Sequence, residues 1–427
     1  SDSHEGIIEL PEDAPIGQKY SAYAKLGGVV IDVAITPNRG DCTGVHGIAR
    51  DLAAAGLGKL KDPTHSAIKG TGETPAIELR FDNVEKPACR MFIGRLVTGV
   101  KNGPSPEWLQ KRLRAIGLRP ISTLVDITNL VTYDRGRPLH VFDAAKLNGT
   151  LHARMAQKGE SLLALDGKTY KMYGEECVIA DDNGVLGFGG VMGGEDSGCT
   201  ETTTDVLVEA ALFDPIRTAM TGRVHGIESD ARYRFERGVD VNFVIPGVEL
   251  ATKLIMDLCG GEPSELTIAG ELPVFDKTLN FDTGRVASLG GVTLEDDEII
   301  AILERLGFTA SNQSGSTWQV SVPSWRTDIV GPADLVEEVL RIHGYDNIPI
   351  ASLPRLTDVA KPTLTTAQRR SRATRRALAS RGFNECVTWS FISEDQTKRF
   401  GGINEVLRLA NPISSELVIM RPSLLPN

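Results

Sequence analysis

Val206-Leu207-Val208-Glu209-Ala210-Ala211-Leu212-Phe213 is an apolar run broken by one carboxylate, and its reading decides the fold. A run of this kind reads as a buried strand. An unpaired carboxylate there would be costly, so Glu209 requires a partner. A structural arginine is one candidate and the hydroxyl of a bound ligand is the other. From about residue 77 to 261 the surrounding pattern is mixed. Ser105-Pro106-Glu107 opens a predicted helix with Trp108, Leu109, Leu113 and Ile116 on one side and Gly117 at its end, because proline suits the first helical position. Asp166-Gly167 and Asn183-Gly184 each lie between apolar runs, the strongest short signal for a hairpin. The predicted fold class is α+β.

With 427 residues the chain exceeds a single core, and roughly 100 to 200 residues per domain gives a multidomain protein. Residues 1–61 end in a predicted helix carrying Val45, Ile48, Ala49, Leu52 and Ala53 at helical spacing, with Asp41 or Thr43 as cap and Gly56 as stop. The Gly, Thr and Pro-rich stretch 62–75 reads as a linker. The mixed domain occupies 76–262. A third unit, 273–349, contains a helix flanked at its start by Thr293 and Asp296, with Ile299, Ile302, Leu303 and Leu306 as its core face. Its second helix begins at Pro332 and stops at Gly344. Pro349, Pro354 and Pro362 mark a linker to a last, unfinished unit at 365–427.

Hydrophobic content of 41% with 24% charged residues is ordinary for a globular protein. No apolar stretch approaches the roughly 20 residues that span a bilayer, and Ser1-Asp2-Ser3-His4 has neither the basic nor the apolar region of a secretory signal. Six cysteines stand singly, without metal-like spacing, and read as reduced thiols in a cytoplasmic protein. A net charge of -10 argues against a surface that coats nucleic acid by charge alone, so any RNA contact is local. Arg369, Arg372 and Arg376, sharing one helical face beside Arg370 and Arg375, are the local candidate; a solvated helix face is the competing reading.

The other candidates also carry two readings. Gly187, Gly189, Gly190, Gly193 and Gly194 lack the Lys-Ser/Thr and the spacing of a phosphate loop, leaving tight turns or exposed backbone N–H groups that let a ligand approach. His140 shares a strand face with Phe142, either as a satisfied core residue or as a catalyst. Thr128 and Asn129, on a predicted helix over 122–133, are likewise open. No Gly-x-Ser-x-Gly elbow or Cys/His signature supplies a nucleophile. Asp328, Asp334, Glu337 and Glu338 cluster near the helix opened by Pro332. They complement its dipole or offer oxygen ligands to Mg²⁺.

Five runs occur in order: Ile35-Thr36-Pro37-Asn38-Arg39-Gly40-Asp41-Cys42, Leu124-Val125-Asp126-Ile127-Thr128-Asn129, Pro138-Leu139-His140-Val141-Phe142-Asp143, Arg234-Phe235-Glu236-Arg237-Gly238-Val239-Asp240 and His343-Gly344-Tyr345-Asp346-Asn347-Ile348-Pro349. Together they resemble the β subunit of bacterial phenylalanyl-tRNA synthetase, over essentially the whole chain. The resemblance implies a central fragment: the later part of the first β-subunit domain (1–61), an editing domain (76–262), a winged-helix-like domain (273–349) and the truncated start of a non-catalytic class II synthetase-like fold (365–427). It implies removal of tyrosine from tRNA for phenylalanine, with Glu209 and the backbone of Gly190 facing the tyrosine hydroxyl. Thr128, Asn129 and His140 would surround the amino acid and its ester, and Ser229 and Ala231 would be small pocket residues, Ser229 standing where threonine is common. It further implies an α subunit in an α2β2 assembly that charges tRNA with ATP, and Mg²⁺ at Asp328, Asp334, Glu337 and Glu338 shared with that subunit. The alternatives are a free-standing hydrolase and a non-catalytic tRNA-binding scaffold.

Overall fold

The apolar run forms the strand Asp205–Phe213, buried at every position after the first. It lies between two antiparallel neighbours, with Glu209 opposite Gly94 of Cys89–Thr98 on one side and opposite His140 of His140–Asp143 on the other. The far edge of Cys89–Thr98 is covered by Glu262–Pro263 and Thr267–Gly270. Side chains alternate along the central strand. Val206, Val208, Ala210 and Leu212 join a core with residues of the helices Glu107–Ala115, Thr123–Arg135 and Val244–Cys259. Leu207, Ala211 and Phe213 join a different core with Phe142, Ile179 and Phe235, and Glu209 has their parity. Burial of its large apolar side chains, at about 1.5–3 kcal/mol each, holds the strand in place against the several kcal/mol that one carboxylate costs.

The second core is closed by another sheet, ordered Ile77–Arg80, Leu151–Met155, Cys177–Asp181, Gly184–Phe188, Met192–Gly193. Its first pair is parallel and the rest are antiparallel. The layers are therefore helices, sheet, sheet. Both expected hairpins form: Ser161–Leu163 pairs with Thr169–Lys171 around Asp166-Gly167, and Cys177–Asp181 pairs with Gly184–Phe188 around Asn183-Gly184.

The computed structural model describes residues 9–23, 28–61, 66–71, 74, 76–81, 86–353 and 362–426. Residues 1–4 and Pro354, used above for targeting and linker readings, lie outside the described residues, as do parts of the 62–75 linker. Within that linker, residues near Ile68 are docked rather than loose. Arg95 donates to the Ile68 carbonyl at 2.7 Å and to Glu249 at 2.6 Å, and Glu249 accepts from the Ile68 N–H. Two helix starts differ from expectation. Val45–Ala54 is capped by Gly44, not by Asp41 or Thr43, because Arg39 holds the Asp41 carboxylate at 2.9 Å and the Thr43 hydroxyl donates to the Gly40 carbonyl. Pro106 is the cap residue of Glu107–Ala115, one place before the position expected of it. Leu109 and Leu113 are buried there while Trp108 and Ile116 stay exposed.

The third stretch pairs Thr278–Asp282 and Thr309–Ser314 with Thr317–Ser321 between them. Ile299, Ile302, Leu303 and Leu306 from helix Asp296–Arg305 and its carboxyl cap share a core with Leu335, Val336 and Val339 of helix Pro332–His343. A chain of alternating charges ties this stretch to residues 39–51. Arg39 binds Asp41 and Asp51, Arg341 binds Asp51 and Glu338, and Arg326 binds Glu338 and Asp328.

Residues 350–427 form a separate compact unit. Its helix Thr366–Ala379 starts with a capping box of Thr365 and Gln368 and buries none of its residues, while a short pair, Phe391–Ile392 with Ile419–Met420, encloses Ile392 and Ile419. Among the described residues no helix is long and apolar enough to cross a membrane.

Candidate functional site

Between the two sheets lies a cavity of about 90 Å³ whose polar groups are Glu209 and His140 and whose walls include Phe142, Phe213, Ala231 and Phe235. Strand pairing sets Glu209 and His140 directly opposite one another. The Glu209 carboxyl is pushed up to about 7, by burial above all, and the charge of Arg137 pulls it back. Among the described residues no hydrogen bond or ion pair reaches it, so the structural arginine expected from sequence acts through its field only. Burial pushes the His140 imidazole down to about 4, which leaves it neutral at neutral pH. Its ring stands edge-on to Phe142 at 4.4 Å, and Nε2 is buried without a partner among the described residues. Two facing polar groups with unmet hydrogen-bonding capacity are costly unless a ligand or water satisfies them.

The glycines serve both as turns and as room. Gly190 adopts φ +71°, which favours glycine, and a Cβ there would lie 2.9 Å from the Phe213 ring. A Cβ on Gly193 would lie 2.7 Å from His140 Cε1, and one on Gly189 2.7 Å from Phe213. The roof thus exists because these positions lack side chains.

Not every expected residue reaches the cavity. Gly190, Ala231, Glu209 and His140 line it; Thr128, Asn129 and Ser229 do not. Thr128 turns its hydroxyl back to the Val125 carbonyl at 2.7 Å on its own helix. Ser229 caps helix Asp230–Phe235, accepting from the Arg232 N–H at 3.1 Å, and donates to the Val191 carbonyl. It therefore braces a loop that lines the cavity instead of lining it. Ser229→Ala is expected to cost about 1 kcal/mol, read as a fall of a few degrees in the calorimetric midpoint, while Ser229→Thr keeps the cap and the midpoint. Phe213 and Phe235 were not singled out from sequence, where nothing separates them from ordinary core residues.

Two of the four acids expected to share Mg²⁺ with an α subunit, Asp328 and Glu338, are paired with arginines of this chain. Arg326 binds Asp328 at 2.8 Å and also binds Glu338, which Arg341 holds at 2.7 Å; the two guanidinium groups offset burial and leave Glu338 at about 2. Asp334 accepts from the N–H groups of Val330 and Gly331, so it caps the helix that carries Glu337. Asp328 and Glu338 are thus already neutralised within this chain, whereas no ion pair reaches Asp334 or Glu337 among the described residues. Among the described residues, the close group Asp41, Cys42 and Asp51 is filled in the same way by Arg39.

Comparison with known proteins gives three matches in order. The B3/4 domain family matches residues 88–260, the tRNA synthetase B5 domain 279–345, and the phenylalanyl tRNA synthetase beta chain CLM domain 350–427. Phenylalanine–tRNA ligase beta subunits from Bradyrhizobium diazoefficiens and Rhodopseudomonas palustris are each 56% identical, and that from Brucella abortus 54%, over 100% of this chain. The chain belongs to the phenylalanine–tRNA ligase β-subunit family. It spans about half the length of these relatives, 52% or 53% of each. An N-terminal fragment of the phenylalanyl-tRNA synthetase β subunit from Pyrococcus horikoshii covers 72% of this chain and 85% of its own at 17% identity, with a TM-score of 0.37, too loose a likeness to carry detail. The stretch that matches the B3/4 domain holds every residue lining the cavity and most strands of both sheets, while Ile77–Arg80, Glu262–Pro263 and Thr267–Gly270 lie outside it.

Proposed function

We propose that the cavity is the editing site of a phenylalanyl-tRNA synthetase β subunit, where the ester of tyrosine attached to tRNA for phenylalanine is hydrolysed. The observation that carries the reading is Glu209, a buried carboxylate without a hydrogen-bond partner among the described residues, facing a cavity with aromatic walls. A phenol ring fits such walls, and its hydroxyl donates to the carboxylate. Phenylalanine offers no donor and leaves Glu209 unpaired.

The chemistry asks little more of the chain. An aminoacyl ester is already activated, so a positioned water and hydrogen bonds to the developing oxyanion suffice. His140, neutral at neutral pH, orients that water or the terminal ribose through a ring nitrogen. The buried thiols of Cys89 and Cys177 in the same core are pushed far up by burial, so neither supplies a thiolate. Ser229 supports the site through the Val191 carbonyl, while Thr128 and Asn129 stand outside the lining on helix Thr123–Arg135. In the complete enzyme, an α2β2 assembly in the cytoplasm, the α subunit charges tRNA with ATP and Mg²⁺. Residues 273–349 act there as a winged-helix-like domain and 365–427 as part of a class II synthetase-like fold.

The test is deacylation of tyrosine-charged and phenylalanine-charged tRNA by this chain and by the assembled enzyme. Release of tyrosine in preference to phenylalanine supports editing; binding of tRNA with no release leaves a scaffold. In the same assay Gly193→Ala, whose Cβ displaces the His140 ring, is expected to lower tyrosine release by about 10²-fold, the scale of a 1 Å misplacement. The thermal midpoint should stay within a few degrees of wild type.

A further inference from the structure

Arg137 is 1% exposed, and its surroundings do not explain why a cation is kept there. One nitrogen, Nη2, donates to the Ala211 carbonyl of the central strand. Nε and Nη1 are buried without a partner among the described residues. The stem runs past Gly247, where a Cβ would lie 3.2 Å from Arg137 Cγ, and the guanidinium stands 5.7 Å from the Phe235 ring centre. An arginine held for packing alone would have its donors met, because a buried ion with spare donors is less favourable than an apolar residue of similar volume. What this group supplies is charge, delivered two residues along the strand from Glu209.

We propose that Arg137 is the positioning residue that keeps Glu209 a carboxylate, and so able to accept the substrate hydroxyl. The proposal rests on the editing reading of the cavity. The groups facing Glu209 are few. His140 on the adjacent strand is neutral, as are the buried thiols of Cys89 and Cys177; the charge of Asp240 acts on Arg137. Arg137 itself, pulled down to about 10 by burial, stays cationic through the neutral range. With its charge present the Glu209 carboxyl rests at about 7; without it, burial acts unopposed and the carboxyl moves higher.

The experiment is the pH profile of tyrosine-over-phenylalanine release by the assembled enzyme. In wild type the preference rises with pH through a midpoint near 7. In Arg137→Met the midpoint moves up by about one to two pH units, so the preference falls about tenfold at neutral pH and returns at higher pH, while Arg137→Lys keeps the wild-type midpoint. An unmoved midpoint in Arg137→Met overturns the inference alone; a wild type with no tyrosine preference at any pH overturns the editing reading and the inference with it. Should Arg137→Met fail to fold, Arg137→Gln serves with a direct readout, the infrared carboxyl band of Glu209 identified by its loss in Glu209→Gln. An upward shift of that band's titration supports the proposal and an unchanged titration overturns it.

Discussion

Glu209→Ala is expected to reduce the preference for tyrosine-charged over phenylalanine-charged tRNA by about 10²-fold or more, out of the 10⁴ to 10⁵ that a site built for one hydroxyl can reach. The change should leave stability unharmed. Glu209 is 7% exposed, accepts no hydrogen bond among the described residues, and sits between Val208 and Ala210 on a strand whose pairing it does not alter. Removing a buried carboxyl without partners relieves a cost. The loss should appear as slower tyrosine release with phenylalanine release little changed, because only the tyrosine transition state forfeits the bond. Equal tyrosine preference in wild type and Glu209→Ala, measured in the assembled enzyme, would falsify the assignment.

The second large effect lies away from the cavity. Glu338→Ala is expected to destabilise the folded unit by about 3–5 kcal/mol, the range seen when one partner of a buried ion pair is removed. Glu338 and Arg326 are each 1% exposed, and the loss leaves Arg326 with Asp328 alone and Arg341 with Asp51 alone. The same carboxylate makes stability depend on acid. Its folded value of about 2 lies below the ordinary 4.5, so its contribution, on the order of 3 kcal/mol, is complete above about 4.5 and is lost as pH falls toward 2. Urea unfolding followed by the fluorescence of Trp318 and Trp325, compared at neutral pH and near pH 3, reads both effects. Wild type should lose stability on acidification by more than Glu338→Ala does; parallel losses would show that Glu338 is not the group responsible.

Local pattern reached as far as local causes extend. Helix Asp296–Arg305 with Ile299, Ile302 and Leu303 inward, the stop of the next helix at Gly344, and both hairpins follow from spacing and turn residues within a few positions. Glu209 was visible because a charge in an apolar run is a local anomaly. His140 was visible as a residue, but that it faces Glu209 follows from strand pairing between distant stretches, which periodicity does not encode. Arg137 gave no signal at all, since its role depends on the carbonyl of Ala211 and the absent side chain of Gly247. The quoted runs identify the family without separating chemistry from joinery. Asp126 accepts from Ser105 and Ile121, Arg234 donates to the Thr43 carbonyl, and Asp240 accepts from Ser324; each fastens one stretch to another. That Arg326 and Arg341 pair with Asp328 and Glu338, two of the acids read as metal ligands, was hidden for the same reason, because these groups meet only in three dimensions.

The strand Cys89–Thr98 gains the cover of its outer edge from Glu262–Pro263 and Thr267–Gly270, which leave the ribosome long after it. At roughly 5–20 residues per second, that edge waits on the order of ten seconds or more with its N–H and C=O groups open to any passing strand. Its own sequence, Cys89-Arg90-Met91-Phe92-Ile93-Gly94-Arg95-Leu96-Val97-Thr98, is apolar enough to make that interval hazardous, and the arginines are its main guard. A nascent chain paused between residues 213 and 262 should therefore be the stage most dependent on chaperones, and slowing translation there should raise the aggregated fraction more than slowing it after residue 270.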